Sequence, residues 1–205
     1  MSDRLNTVLL FGAPGVGKGT QGKMLGTLPG FVHSATGDVF RKVDKHSERG
    51  KIFYEYSSRG ELVPDDVTVR MWDEAIRGRI AGEQYDPASD LLVLDGIPRT
   101  TGQVGLMDRH IDVLRIVHLT CDDIEEMVGR LQRRALKENR HDDADENVIR
   151  RRWDVYEQQT QPVLDQYPKQ LISPINAVST PVQVLADTLA VLAPIQSKHC
   201  AKFEG

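Results

Sequence analysis

The sequence predicts an α/β fold, a parallel sheet covered by helices on both faces, and three observations carry that reading. Short apolar runs, "TVLLF", "LLVLD", "RIVHLT" and "LISPIN", alternate with longer amphipathic stretches, as strands joined by crossover helices do. The runs are apolar at nearly every position rather than every second one, which suits strands buried on both sides. A glycine-rich turn, "GAPGVGKGT", follows the first run and opens a helix, the context such a turn needs to hold a phosphate.

In chain order, the first strand is expected at 7–11 and a helix over about 18–28. "FVHSA" at 31–35 is a weaker fifth strand, followed by helices over about 37–48 and 65–81. "LLVLD" places a strand at 91–95, a helix follows over about 100–110, and "RIVHLT" is the strand at 115–120. Helical spacing returns over 122–135 and 144–166, "LISPIN" closes the sheet at 171–176, and a last helix covers 180–193. Pro162 should kink or divide the helix that contains Trp153, because it has no backbone N–H to donate. The tail after Pro194 is expected to fray.

At 205 residues the chain suits one domain with a single core and room for a small insertion. It is 40% hydrophobic and 27% charged, with a net charge of −4, which argues against general attraction to nucleic acid or anionic lipid. A small-molecule partner is the expectation. No apolar run approaches the length that crosses a bilayer, and the apolar start leads into a glycine turn rather than a cleavage site, so a soluble, cytoplasmic protein is expected. Cys121 and Cys200 form no CxxC pair, indicating neither a disulfide framework nor a zinc cluster.

The chemistry gathers at the glycine turn. Gly12, Gly15 and Gly17 let the backbone wrap an anion with its N–H groups inward, and the helix N-terminus adds partial positive charge. Lys18 supplies a mobile full charge. Gly19 stands between Lys18 and the hydroxyl of Thr20, one residue more than the common phosphate loop has, which marks a subtype. ATP or a related nucleotide is the reading; a glycine-rich turn with a solvated lysine is the bland alternative. Asp95 ends a buried strand at the edge where ligands gather in parallel sheets. A carboxylate there can hold the water shell of Mg2+, which needs only one or two protein acids besides the nucleotide phosphates; alternatively it caps a turn.

Four motifs, "GAPGVGKGT", "TGDVFR", "DGIPRT" with Gln103 beyond it, and "NRHDD", resemble the adenylate kinases in order and spacing, over about residues 7–185. The resemblance implies a P-loop kinase core with five parallel strands, a helical monophosphate-binding insertion at about 37–64 and a short lid at about 135–143. The implied reaction is ATP + AMP to two ADP. Gly15, Val16, Gly17, Lys18, Gly19 and Thr20 match the stretch that wraps the ATP phosphates, and Arg130 the arginine that stacks on the ATP base. Arg41 and Arg99 match the arginines that hold the AMP phosphate, a task that suits the planar, bidentate guanidinium. Thr36 and Gln103 fall where the family contacts the AMP adenine, Glu61, Leu62 and Val63 where its backbone lines that pocket, and Gly96 where the monophosphate comes close. Asp38 and Asp95 match acids near the magnesium. Arg134 and Arg140 match lid arginines that meet the phosphates, and Arg152 a further phosphate ligand.

Residues 130–152 hold eight Lys or Arg against five Asp or Glu, a local reversal in an acidic chain. Arg130 and Arg134 lie away from the stripe of Ile124, Val128, Leu131 and Ala135, as any solvated helix face would, so their role comes from the resemblance. Arg152 is preferred to Arg150 and Arg151 by matching "IRRRW" and because it flanks the buried side of the stripe Ile149, Trp153 and Tyr156. Only "ALKEN" separates Arg134 from Arg140, the short-lid form, which lacks the region where some relatives bind zinc; no structural zinc is expected. Ile97 stands where the family has phenylalanine, and Ala35 where it has serine. A monomer is expected from the resemblance. The AMP phosphate is mostly dianionic near neutrality, its second pKa being about 6, so no general base is assigned, and His33 is read as structural. Two alternatives remain: a CMP or UMP kinase on the same fold, against which Thr36 and Gln103 argue, and a P-loop protein that binds nucleotide without transferring phosphate.

Overall fold

The computed structural model describes residues 4–138 and 145–200. Five strands, β1 (Leu5–Phe11), β2 (Phe31–Ala35), β3 (Leu91–Asp95), β4 (Ile111–Thr120) and β5 (Ile172–Asn176), form one parallel sheet in the order β2-β3-β1-β4-β5. "FVHSA", the weaker candidate, is a full edge strand. Pro174 lies in β5, the other edge, where a missing N–H leaves no ladder bond unmade.

Strands apolar at successive positions are explained by what lies on each face. Val8, Leu10, Leu91, Val93, Val117 and Leu119 share one core with Leu25 of α1 (Lys18–Leu25) and with Val184 and Leu192 of α8 (Pro181–His199). Their neighbours Leu9, Phe11, Leu92, Leu94 and Ile116 share another with Val69, Trp72 and Ile76 of α4 (Asp65–Ala81) and Met107 of α5 (Thr101–Met107). From β1 the chain passes to β2, returns to fill β3 between them, then crosses to β4 on the other side. This reversal opens a crevice at the carboxyl ends of β1 and β3, where Leu10 is in register with Asp95.

Three stretches differ from expectation or sharpen it. The single helix expected over 37–48 is instead α2 (Thr36–Arg41), a turn, and α3 (Glu48–Ser58). Ser47 starts α3, its Oγ accepting from Gly50 N at 3.1 Å, a local cap that outweighs continuation of α2. Phe40, Phe53, Val63 and Met71 form a small core beneath this segment, the rings of Phe40 and Phe53 stacked at 5.1 Å. After α6 (Ile124–Glu138) and α7 (Glu146–Val155) the backbone passes into a π turn over Tyr156–Thr160 and a 3-10 helix over Gln161–Gln166 with Pro162 in its first turn, the division that Pro162 demanded. As far as the tail after Pro194 is described it does not fray: α8 continues to His199, because Ile195 and Cys200 pack on the core and Gln196 Nε2 donates to Pro29 O at 2.8 Å, and residues 201–205 lie outside the described residues. Among the described residues no helix is long and apolar enough to cross a membrane, and Cys121 and Cys200 are free thiols.

Candidate active site

Sterics shape the loop between β1 and α1. Gly12 has φ +140°, and a Cβ there would collide with the carbonyl of Leu119 on β4, so only glycine lets β1 turn beside its neighbour. Gly17 caps α1 with φ +104°, and the first turn of the helix, Lys18, Gly19 and Thr20, lines a cavity at the crevice. Lys18, the first residue of α1, folds back so that Nζ donates to Gly12 O at 2.6 Å and Ala13 O at 2.9 Å. Burial pushes its pKa down from 10.5 to about 7; Asp95 opposes this, while Arg99, Arg152 and Arg134 add to it.

Two cavities open from the crevice. One is lined by the loop residues Gly15, Val16, Gly17, Lys18, Gly19 and Thr20, by Asp38 and Asp95, and by Arg130 and Arg134 of α6. The other is lined by Thr36, Glu61, Leu62, Val63, Gly96 and Gln103, under Phe40 and Phe53. Lys18, Arg41, Arg99 and Arg152 line both. Three arginines and a lysine gather where the two cavities meet, in a chain of net charge −4, a concentration of basic groups that suits anions.

Each residue is held by a definable contact. Arg99 is anchored by Nε donating to Gly96 O at 2.9 Å and by its backbone N donating to Gln103 Oε1 at 2.7 Å. Arg41 Nη2 pairs with Asp38 Oδ1 at 2.7 Å, both part-exposed, so the pair is worth little and an incoming phosphate can break it. Arg130 donates to Glu126 Oε1 at 2.9 Å and to Ala177 O at 3.3 Å. Arg152 is half-buried against Gly60, whereas Arg150 pairs with Glu146 and Glu125 at the surface and Arg151 is exposed. Thr36 Oγ1 is buried without a hydrogen-bond partner among the described residues, and Thr36 lines the second cavity. Arg140, and the part of the expected lid beyond Glu138, lie outside the described residues.

Asp95 and Asp38 are the acids of the loop-side cavity, and a Cβ at Gly19 would sit 3.6 Å from Asp95 Oδ2, which sets this carboxylate against the loop. Among the described residues no cluster of three His, Cys, Asp or Glu forms a metal cage. This sparse oxygen set fits magnesium, which takes its remaining ligands from phosphates and water. His33 lies mid-strand in β2, packed against Gly22 of α1 and Gly26 at its C-terminal cap, with Nε2 4.0 Å from Asp95 Oδ2. Burial pushes its pKa below the usual histidine value.

Ile97, the departure beside Gly96, is 3% exposed and belongs to the apolar core shared with α4 and α5. Asp65, Tyr156 and Thr160 were not legible as site residues. Tyr156 and Thr160 line the second cavity from the π turn that follows α7, a distortion without a sequence signal. Asp65 looks in the sequence like an ordinary first-turn acid, but Oδ1 accepts from Gln103 Nε2 at 2.9 Å across 38 residues.

The family profile described as Adenylate kinase matches residues 10–172. The chain is similar to an adenylate kinase of Kocuria rhizophila, 39% identical over 168 residues, covering 80% of this chain and 85% of that one. One from Thermobifida fusca is 37% identical over 192 residues, covering 90% and 97%. One from Renibacterium salmoninarum is 35% identical over 207 residues, covering 97% and 100%.

Proposed function

Since the chain belongs to the adenylate kinase family, we propose that phosphoryl transfer from ATP to AMP runs through the junction of its two cavities. The protein is a nucleoside monophosphate kinase, and its reaction is the reversible conversion of ATP and AMP to two ADP. The observation that carries the site assignment is that Lys18, Arg41, Arg99 and Arg152 line both cavities.

In this reading ATP lies on the loop, its phosphates wrapped by Gly15, Val16, Gly17, Lys18, Gly19 and Thr20 and its base beside Arg130. AMP fills the second cavity, its base against Thr36, Gln103 and the backbone of Glu61, Leu62 and Val63, its phosphate near Gly96 on Arg41, Arg99 and Arg152. Arg134 adds its charge on the loop side, and the family resemblance adds Arg140, which lies outside the described residues. Transfer of a phosphoryl group needs alignment and neutralisation more than covalent chemistry, and preorganised cations supply both without reorganising during the step. Magnesium, when bound with ATP beside Asp95 and Asp38, neutralises phosphate charge. No side chain acts as a general base, because the attacking AMP phosphate is already mostly dianionic near neutrality. Such a site must exclude water, so the segment 37–64 closes over AMP and the lid at 135–143 over ATP. We read the protein as a cytoplasmic monomer on family resemblance.

The decisive assay offers Mg-ATP with AMP, CMP, UMP and GMP separately and follows diphosphate formation by chromatography. ADP is expected to accumulate with AMP in strong preference, and Lys18→Ala to lower kcat by about 10²–10³-fold. Preference for CMP or UMP would overturn the base assignment at Thr36 and Gln103, and an active Lys18→Ala would overturn the assignment of the loop.

A further inference from the structure

Asp65 takes no part in the assignments above, yet it governs how Gln103 meets the cavity. Gln103 is 1% exposed, and its amide is held at both ends: Oε1 accepts from Arg99 N at 2.7 Å, and Nε2 donates to Asp65 Oδ1 at 2.9 Å. A backbone N–H can only donate and a carboxylate can only accept. Turning the amide over would therefore set donor against donor and acceptor against acceptor, so its orientation is forced by the network.

Asp65 is itself held. Its Oδ2 accepts from Thr100 Oγ1 at 2.8 Å, and Thr100 Oγ1 accepts in turn from Gln103 N at 3.0 Å. Gly102 leaves room for the carboxylate, since a Cβ there would stand 2.6 Å from Oδ2. With these bonds made, the amide has one lone pair left on its Arg99 side and one N–H left on its Asp65 side. Their order is set before any ligand arrives.

We propose that Asp65 is a positioning residue that locks the Gln103 amide in the sense matched to an amino-purine edge and mismatched to an oxo-purine edge; this rests on reading Gln103 as a base contact. An aminopurine presents a ring-nitrogen acceptor beside an amino donor, and an oxopurine the reverse, a ring N–H beside a carbonyl. The amide serves the second pattern only when turned over, which Asp65 and the Arg99 N–H oppose. Rejection then comes from leaving buried polar groups unpaired rather than from size.

The test is the ratio of kcat/KM for AMP over IMP, whose bases are alike in shape but reversed in this pattern. Asp65→Ala is expected to lower the ratio about tenfold, the worth of one well-placed hydrogen bond, raising KM for AMP and leaving KM for ATP unchanged. Asp65→Asn keeps an acceptor oxygen for Gln103 and is expected to stay near the wild-type ratio. Gly102→Ala, whose methyl displaces the carboxylate, is expected to fall between them, and it carries the test if Asp65→Ala does not fold. An unchanged ratio in Asp65→Ala, or failing that in Gly102→Ala, overturns the inference even if kcat drops for both acceptors. Gln103→Ala separates the two claims: if it collapses the ratio while the Asp65 and Gly102 variants do not, the base contact stands and the positioning role falls. If Gln103→Ala leaves the ratio intact, the base contact falls and the inference with it.

Discussion

Lys18 is a cation placed among cations, with Arg99, Arg152 and Arg134 all lowering its pKa and burial lowering it most, to about 7. Near neutral pH the free protein therefore carries this ammonium only in part. Nucleotide phosphates favour its charged form, so above pH 7 ATP binding should take up a proton, approaching about one per nucleotide by pH 8. The sign follows: apparent ATP affinity weakens as pH rises through about 7, and the dependence disappears in Lys18→Ala. Calorimetric titration in two buffers of different ionisation enthalpy measures the uptake directly, and heats that do not depend on the buffer would refute it. Thr36 poses a simpler question at the same scale. Its buried hydroxyl lacks a partner among the described residues, so Thr36→Val should raise KM for AMP more than KM for ATP, while thermal stability holds or rises because no internal hydrogen bond is lost.

Among the elements, α8 shows how a helix can override a local breaker. Thr180 caps it, Oγ1 accepting from Gln183 N at 3.2 Å, and Pro181 occupies its first turn, a strong start signal. Pro194 removes one interior bond, yet the helix packs on both sides of it: Val184, Thr188 and Leu192 are buried before it, and Ile195 packs on the same core after it. Thr180→Ala should cost about 1 kcal/mol, a fall in Tm of about 2–4 °C for a chain of this size, measured by calorimetry with activity near normal. The α2–α3 segment carries the opposite lesson. Helical character was legible from "TGDVFR" onward, but the break before Ser47 and the restart as α3 depend on a cap and on the Phe40–Phe53 stack, which joins residues thirteen apart in sequence.

For the whole molecule, closure is the property most open to test. The segment from α2 through α3 has its own small core, fixed to α4 through Met71 and through Arg49, which donates from Nη2 to Glu74 Oε1 at 2.9 Å. If the segment moves, that core should carry it as one body, pivoting on its contacts with α4. Crystals grown with and without a bisubstrate analogue are expected to show residues 37–64 displaced together with the Phe40–Phe53 stack intact; the same position in both would overturn the closure reading.

The sequence by itself determined the sheet, the loop and the set of chemical groups. Strands apolar on both faces, a glycine turn between β1 and α1, and arginines in ordered motifs are local patterns whose physics is complete within a few residues. Tertiary structure alone decided which charges converge. Arg41, Arg99 and Arg152 come from α2, the turn after β3 and α7, and only the packing of those elements on the carboxyl edge of the sheet sets them beside Lys18. The same holds for Asp65, whose hold on Gln103 bridges α4 and α5: a side-chain hydrogen bond between helices depends on their relative position, which the whole core sets and no short stretch of sequence encodes.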